Sequence, residues 1–172
     1  MFKFLGMDVD GVLTTGEITY TSSGDELKTF DAKDGLGIAM CSRCGIVVAI
    51  ITGRDSNMVK RRAEDLGVKE VFTGVRNKGY IVKKILEKYG IDREEAVFIG
   101  DDIIDIPAMK VVGFPVAVKD APPEVKNYAN MVTTRPGGKG AVREVCEYIM
   151  KINGMWNSCV EKLLEEIEGE EF

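Results

Sequence analysis

Six short apolar runs, separated by helical patterns, constrain the fold of this chain more than any other feature. The runs do not alternate between apolar and polar residues, which is typical of strands buried on both faces of a parallel sheet. This succession of strand and helix predicts a doubly wound, mainly parallel α/β sheet. The six runs, in chain order, are FKFLGM, IVVAII, EVFTG, AVFIG, PVAV and NMVTT.

The segment 17–30 departs from this succession and is predicted to form a β-hairpin. Two β-prone stretches, Glu17–Thr21 and Glu26–Phe30, flank a turn that contains Gly24. Near the end of the chain, an acidic helical stretch follows a break at Asn153-Gly154. We therefore predict a single domain over residues 1–172, with a hairpin flap at 17–30 and an acidic helical tail at 154–172.

Composition limits the partners that this chain can have. Charged residues make up 30% and hydrophobic residues 45%, a balance typical of a globular domain. The net charge of −5 argues against nucleic acid, because a phosphate backbone requires a basic surface. No apolar run approaches the roughly 20 residues of a membrane span, and the N-terminal stretch lacks the layout of a signal peptide. We expect no nucleic-acid or membrane partner and a cytoplasmic location.

Cysteine and histidine usage excludes several kinds of chemistry. The chain has four cysteines and no histidine, so Ser-His and Cys-His catalysis are not available. Cys41 and Cys44 have the C-x-x-C spacing, but a zinc site would require Cys146 and Cys159 to converge on them. The preferred interpretation is that Cys41 and Cys44 are small apolar residues on a helix. Hydrolytic chemistry would then depend on carboxylates, Lys, Thr and a metal ion.

Polar side chains follow the predicted strands at the points where these strands end. In open α/β sheets, functional groups collect at the carboxyl ends of the strands, so we expect these side chains to meet there. Their carboxylates would form an oxygen-rich cluster suited to Mg²⁺, a hard cation. In chain order, the groups are Asp8-Val9-Asp10, Thr52-Gly53-Arg54, Asn77-Lys78, and Gly100-Asp101-Asp102 with Asp105.

These groups occur in the order of the four motifs of the haloacid dehalogenase superfamily of phosphotransferases, which the chain resembles over almost its whole length. The resemblance implies that Asp8 attacks phosphorus and forms an aspartyl-phosphate. Asp10 would donate a proton to the leaving alkoxide and then accept one from water. Asp8, Asp101 and the backbone carbonyl of Asp10 would hold Mg²⁺.

The same resemblance implies roles for the remaining motif residues. Thr52 and the Gly53 amide would donate hydrogen bonds to the phosphoryl oxygens, and Lys78 would neutralise their charge. Asp102 would support the metal ligands from the outer shell or reach the metal through water, and Asp105 would brace the loop or cap the following helix. A tight turn at Gly11 would bring Asp10 over the site.

Many phosphatases of this superfamily carry an inserted cap domain, for which this chain has no room. The segments between the motifs accommodate only the predicted hairpin, helices and strands. A capless chain with such a hairpin resembles the 3-deoxy-D-manno-octulosonate 8-phosphate phosphatase family, which acts in lipopolysaccharide precursor synthesis. The resemblance covers residues 1–150, and its matching stretches include GDELKTF, DGLGI, AIITGR, GDDIID and GGKGAVREVC.

The substrate implied by this resemblance is an acidic sugar phosphate, most simply 3-deoxy-D-manno-octulosonate 8-phosphate. Related phosphatases act on the 9-phosphates of sialate-type sugars, including KDN, and remain an alternative. Arg54, Arg62 and Lys139 are candidates for binding the sugar carboxylate, together with Thr52 and Lys78 at the phosphate.

The resembled family also implies a homotetramer, in which a neighbouring subunit takes the place of the cap. A lone hairpin is marginal in water, and apolar side chains on this one would be buried by pairing with other hairpins. These side chains are Ile18, Tyr20, Leu27 and Phe30.

Two alternatives belong to other functional classes. A signalling receiver domain also uses an Asp pair, Thr, Lys and Mg²⁺, but the strand before Thr52 lacks the phosphoacceptor Asp of that class. A non-enzymatic binding module is disfavoured because every chemical position of the four motifs is filled.

Overall fold

The computed structural model describes residues 1–170, and its core is a six-stranded sheet in which every pairing is parallel. The sheet order is β5-β4-β1-β6-β7-β8. Its strands are β1 (Phe4–Met7), β4 (Val47–Ile51), β5 (Glu70–Phe72), β6 (Ala96–Gly100), β7 (Phe114–Ala117) and β8 (Met131–Val132). The doubly wound parallel fold predicted from the apolar runs is confirmed.

Five of the described helices lie between these strands in the chain, and two more follow β8. They are α1 (Ala32–Arg43), α2 (Asn57–Asp65), α3 (Lys78–Tyr89), α4 (Ile106–Met109), α5 (Pro123–Lys126), α6 (Ala141–Ile152) and α7 (Trp156–Glu168). Short 3₁₀ helices occupy Arg93–Glu95 and Ile103–Asp105. The side chain of the residue before the first turn caps each of the three helices α1, α2 and α3. These capping residues are Asp31, Ser56 and Asn77.

Strand β1 lies at the centre of the sheet and pairs with β4 on one side and β6 on the other. All four of its residues are buried, as expected for a strand covered by helices on both faces. Because the three strands are parallel, their carboxyl ends meet at one edge of the sheet. The segments that begin at Asp8, Thr52 and Asp101 follow these three ends directly.

The predicted hairpin is present, but its strands are shorter than the β-prone stretches. Strands β2 (Thr19–Tyr20) and β3 (Glu26–Leu27) pair in an antiparallel ladder separate from the main sheet. Tyr20 is 63% exposed and Leu27 53% exposed, as the sequence predicts for an apolar flap. Phe30 differs, because it packs against the core and lies beneath the guanidinium of Arg62, 5.7 Å from the ring centre.

The C-terminal helices pack onto the domain through covalent and polar links. Helix α6 ends before the predicted break at Asn153, whose side chain bonds the backbone of Phe2 in both directions. Helix α7 follows, and a disulfide bond joins its Cys159 to Cys44 at the end of α1. The last two residues of the predicted tail, 171 and 172, lie outside the described residues.

The cysteine interpretation therefore needs correction at one position. Cys41 is a buried apolar residue, and its thiol contacts the carbonyl of Cys146. Cys44 instead pairs with Cys159, a partner 115 residues away in the chain, which no local pattern indicates. Within residues 1–170, the sulfur atoms do not assemble into a cluster of metal-binding groups. None of the described helices has the length and apolar character required to cross a bilayer.

Candidate active site

The carboxyl ends of β1, β4 and β6 form a cavity of about 230 Å³. The cavity is bounded by carboxylates on the β1 and β6 sides and by hydroxyl, amide and guanidinium groups on the β4 side. Its lining residues are Asp8, Asp10, Gly16, Thr52, Gly53, Arg54, Asp101, Asp102 and Ile104. The structure thus brings together the predicted residues of the first, second and fourth motifs.

A buried lysine links the first and last motifs beneath this cavity. The Nζ atom of Lys78 lies 2.7 Å from Asp8 Oδ1 and 2.6 Å from Asp105 Oδ1. The Lys78 side chain is 1% exposed, so it reaches the cavity through Asp8 and not by lining it. Burial alone would lower the pKa of Lys78, but the charges of Asp8 and Asp105 raise it above its ordinary value. Lys78 is therefore charged, and it orients the Asp8 carboxylate.

Asp105 braces the loop of the fourth motif. Its Oδ2 atom accepts hydrogen bonds from the backbone amides of Asp101 and Asp102, while its Oδ1 atom accepts one from Lys78. Asp102 has a more local role, because its exposed carboxylate accepts a hydrogen bond from the Ile103 amide at the start of the 3₁₀ helix. The bracing contact that the sequence analysis expects of Asp105 is thus present in the structure.

The loop after β1 is folded so tightly that it touches the fourth motif. Gly11 has a φ of +87°, and a Cβ atom there would lie 1.9 Å from Asp101 Oδ2. The carbonyl of Val9 accepts hydrogen bonds from the next turn, at the amides of Val12 and Leu13 among others. Only glycine combines this backbone conformation with such a close approach, so Gly11 holds Asp101 beside the β1 end.

The GGKG stretch, residues 137–140, packs against this loop. A Cβ atom at Gly137 would lie 1.7 Å from the carbonyl oxygen of Gly11. The amide of Gly138 donates a hydrogen bond to the Val12 carbonyl over 2.8 Å. The stretch therefore packs glycine backbone directly against the loop after β1, and this close approach explains its small residues.

The carboxylates at the β1 and β6 ends are arranged to hold a cation. One oxygen from each of Asp8, Asp101 and Asp105 lies within 4.8 Å of the others. Burial raises the pKa of Asp101 to about 8, and the charges of Asp105 and Asp8 add to this effect. Burial and the Asp105 charge raise the pKa of Asp8 to about 6, against the opposing influence of Lys78. Three carboxyl groups thus face the single ammonium of Lys78, and without a cation Asp101 retains its proton at neutral pH.

One buried oxygen atom indicates where a cation would bind. Asp101 Oδ1 is buried and has no hydrogen-bond partner among residues 1–170, an arrangement that is costly for a buried polar atom. Both oxygens of Asp105 are already bonded, so Asp8 and Asp101 are the acids left to ligate an ion. An oxygen-only donor set of this kind suits Mg²⁺.

The β4 end supplies hydrogen-bond donors on the opposite side of the cavity. The Thr52 hydroxyl accepts a hydrogen bond from the Arg54 amide, which leaves its own proton free to be donated. Thr52 is 2% exposed and Gly53 lies beside it on the cavity wall. Both are placed where the sequence analysis expects donors to phosphoryl oxygens.

A second charged network, formed with the hairpin, was missed by the sequence analysis. Lys28 Nζ lies 2.7 Å from Asp10 Oδ1 and 3.1 Å from Glu26 Oε1. Glu26 Oε2 in turn accepts a hydrogen bond from Arg54 Nη2 over 3.0 Å. Burial alone would lower the pKa of Lys28, but its bonds with Asp10 and Glu26 raise it. The available signal was the spacing of Glu26 and Lys28, because residues two apart on a strand share one face.

The three candidate carboxylate-binding residues are placed differently. Arg54 lines the cavity and is 42% exposed, although Glu26 already engages its guanidinium. Arg62 lies outside the cavity lining and packs over Phe30 and close to Gly35. Lys139 is exposed on the GGKG stretch and also lies outside the lining. Of these three candidates, Arg54 is the one that lines the cavity formed by the described residues.

Comparison with known proteins gives consistent matches. Residues 70–145 match a family model described as haloacid dehalogenase-like hydrolase. The 3-deoxy-D-manno-octulosonate 8-phosphate phosphatase KdsC of Haemophilus influenzae is 42% identical over 152 residues, which cover 88% of this chain and 84% of that protein. The KdsC protein of Escherichia coli is 43% identical over 152 residues, covering 88% of this chain and 81% of that protein.

A solved structure extends the similarity to three dimensions. The 3-deoxy-D-manno-octulosonate 8-phosphate phosphatase of Moraxella catarrhalis superimposes with a TM-score of 0.90 at 39% identity. The match covers 94% of this chain and 93% of that one. The crystals of that protein contain a magnesium ion, a phosphate ion and a KDO molecule.

Proposed function

The chain belongs to the 3-deoxy-D-manno-octulosonate 8-phosphate phosphatase family, and we propose that it hydrolyses this phosphate monoester with Mg²⁺ through an aspartyl-phosphate. One observation carries the proposal. Asp8 is held by Lys78 at the end of the central strand, beside the unpartnered oxygen of Asp101 and across from the Thr52 hydroxyl. This arrangement combines a nucleophile, a cation site and a phosphate-binding wall in one cavity.

The first half of the reaction transfers the phosphoryl group to the enzyme. A carboxylate oxygen of Asp8 forms a bond with phosphorus, and the bond between phosphorus and the sugar oxygen breaks. Asp10 gives a proton to the departing alkoxide, which leaves as a neutral alcohol. Thr52 and the Gly53 amide hydrogen-bond the phosphoryl oxygens as charge redistributes among them.

The second half returns the enzyme to its starting state. Asp10 accepts a proton from water, whose oxygen bonds phosphorus while the bond to Asp8 breaks and phosphate leaves. Asp8, Asp101 and the Asp10 carbonyl would hold Mg²⁺, which when bound neutralises charge on the nucleophile and the phosphoryl oxygens. Lys78 keeps Asp8 oriented through both steps and offsets part of the charge of the cluster.

The proposed selectivity for an acidic sugar depends in part on residues that lie outside the cavity of their own subunit. Arg54 is the cavity's own guanidinium, and a bidentate contact with the sugar carboxylate would replace its contact with Glu26. Arg62 and Lys139 lie outside the cavity of their own subunit, so a role in binding would require another subunit. Nine-carbon sialate-type 9-phosphates carry the same carboxylate and are the alternative substrates.

A substrate panel tests this function. We expect the highest kcat/KM for 3-deoxy-D-manno-octulosonate 8-phosphate, lower values for nine-carbon keto-acid 9-phosphates, and much lower values for hexose phosphates and nucleotides. Excess chelator should abolish turnover, and added Mg²⁺ should restore it. A higher kcat/KM for hexose phosphates or nucleotides, or full activity in chelator, would contradict the proposal; preference for the nine-carbon acids would select the alternative.

We also propose that the enzyme is a homotetramer whose subunits close one another's sites. The hairpin beside the open cavity exposes Ile18, Tyr20 and Leu27, and a neighbouring hairpin would bury these side chains. Light scattering should report four subunits for the unmodified protein. The variant Tyr20→Glu, Leu27→Glu should dissociate and lose selectivity while retaining slow hydrolysis of a small aryl phosphate. A monomer with full selectivity would contradict this assembly.

A further inference from the structure

We infer that Lys28 positions the Asp10 carboxylate for proton transfer, which makes the hairpin part of the catalytic machinery. The inference rests on the proposed phosphatase function, in which Asp10 protonates the leaving sugar alkoxide. It adds a residue that none of the four motifs contains and that belongs to a different element of the fold.

The burial of Lys28 shows that its contacts are specific. The Lys28 side chain is 2% exposed, whereas Lys60, an ordinary lysine in an ion pair, is 52% exposed. Withdrawing an ammonium from water is unfavourable unless it is paired and hydrogen-bonded. Within residues 1–170, the carboxylates that pair with Lys28 are those of Asp10 and Glu26.

The contact also limits the freedom of Asp10. The carboxylate is 20% exposed and lies on the loop after β1, so its backbone position does not fix the direction of its oxygens. Among the described residues, Lys28 alone hydrogen-bonds this side chain, at Oδ1 over 2.7 Å. The other oxygen, Oδ2, lies 3.9 Å from Arg54 Nε on the cavity lining. Lys28 thereby holds one oxygen and leaves the second for the leaving group.

Glu26 holds Lys28 in turn, because the two side chains form an ion pair where β3 ends. Glu26 Oε1 is 3.1 Å from Lys28 Nζ, and its other oxygen bonds Arg54 at the end of β4. A displacement of the hairpin therefore moves Lys28 and alters the direction of Asp10. Misplacing a reacting group by about 1 Å costs about 100-fold in rate, so the geometry of Lys28 affects catalysis directly.

A merely structural role for Lys28 makes a different prediction. If Lys28 only anchored the hairpin, its loss would reduce turnover of every phosphate ester to a similar extent. If it positions the general acid, the loss depends on the leaving group. A sugar alkoxide requires a proton as it departs, while p-nitrophenolate leaves without one.

The experiment compares the two leaving groups in a set of variants. We expect Lys28→Met to lower kcat/KM, which reports the steps up to departure of the leaving group and not hydrolysis of the phosphoenzyme, about 10- to 100-fold for the sugar phosphate and less than about 3-fold for p-nitrophenyl phosphate. Lys28→Arg, which keeps the charge, should recover part of the loss. Lys60→Met is the matched control and should leave both rates unchanged. In an Asp10→Asn background, Lys28→Met should have no further effect on either substrate.

Equal losses on both substrates, or losses that add fully to those of Asp10→Asn, would overturn the inference. If Lys28→Met does not fold, Lys28→Gln applies the same comparison, because glutamine is uncharged and one atom shorter. Failure of the proposed function has a separate signature. In that case the unmodified protein would not hydrolyse the sugar phosphate, or its p-nitrophenyl phosphate turnover would not depend on Asp8.

Discussion

Two charged networks meet at this cavity, and they are built in opposite ways. The first, around Lys78, joins Asp8 and Asp105 and is buried beneath the ends of the central strands. The second, around Lys28, joins Asp10 to Glu26 and depends on a hairpin with only two residues in each strand. One network is held by the parallel sheet, and the other is held mainly by its own ion pairs.

This difference matches two functional requirements. Some groups need a fixed geometry, and others must move as a substrate enters and a product leaves. The nucleophile and the cation site require a constant geometry, which strands paired on both sides provide. Under the proposed function, the hairpin must admit a substrate and release a product, and its few contacts with the rest of the domain suit that role. The following variants test this division, beginning with the largest expected effect.

Replacing the nucleophile should have the largest effect on turnover. Asp8→Asn keeps the shape of the side chain but removes the attacking carboxylate, so kcat should fall at least about 1,000-fold. Circular dichroism and thermal melting should show an unchanged fold. Asp55→Asn, at an exposed aspartate outside the cavity lining, is the control and should retain full activity. Substantial residual turnover in Asp8→Asn would contradict the assignment of Asp8.

Removing the buried cation should have the largest effect on stability. Lys78→Met leaves Asp8 and Asp105 buried without a positive charge between them, and breaking such a pair costs about 3–5 kcal/mol. Urea unfolding should show this loss. Lys84→Met disrupts an exposed pair with Glu87 and should leave the free energy of unfolding essentially unchanged. Similar losses in both variants would show that the Lys78 network contributes no more to stability than an exposed ion pair.

Alanine substitutions at two glycines compare the loop beside the proposed cation site with the turn of the hairpin. Gly11 and Gly24 have φ values of +87° and +90°, so alanine should strain either backbone by about 1–2 kcal/mol. At Gly11 the new Cβ atom would collide with Asp101, whereas at Gly24 no atom of the described residues beyond its chain neighbours lies within 4 Å. Calorimetric titration should show Mg²⁺ affinity reduced at least about 10-fold in Gly11→Ala and unchanged in Gly24→Ala. Equal affinities would refute the contact.

The pH dependence of magnesium stabilisation should be the smallest of these effects. Burial raises the pKa of Asp101 to about 8 and that of Asp8 to about 6, so without metal the folded protein binds more protons than the unfolded chain. Its stability should therefore fall as pH rises from 6 to 8, and Mg²⁺ should reverse this loss. The increase in Tm on adding Mg²⁺ should be larger at pH 8 than at pH 6, by a few degrees. A larger increase at pH 6 would contradict this assignment of charge.

Much of the cavity lining was predictable because its residues follow the strand ends. A parallel sheet places the ends of β1, β4 and β6 side by side, so motifs far apart in the chain converge without further information. Asp8, Thr52 and Asp101 are found where that rule puts them. The position of Lys78 was less accessible, because no sequence pattern shows that it points at Asp8 from beneath the cavity.

The hairpin network was largely invisible to sequence reasoning for a physical reason. The hairpin's hydrogen bonds define its turn and register, but the angle at which it folds over the cavity depends on contacts with other elements. Lys28 therefore looked like an ordinary strand lysine, although its side chain is 2% exposed. Phe30 and Arg62 were misleading in the same way, because each packs against the other and not at the position that its residue type suggested.

The sequence by itself determined the alternation of buried strands and helices and the convergence of three motifs, because apolar periodicity and strand direction are local properties. Tertiary structure alone decided that Cys44 pairs with Cys159, that Gly137 supports Gly11, and that Lys28 reaches Asp10. Each of these contacts joins residues from different elements. Their distances depend on how those elements pack, and packing is a property of the whole chain and not of any segment.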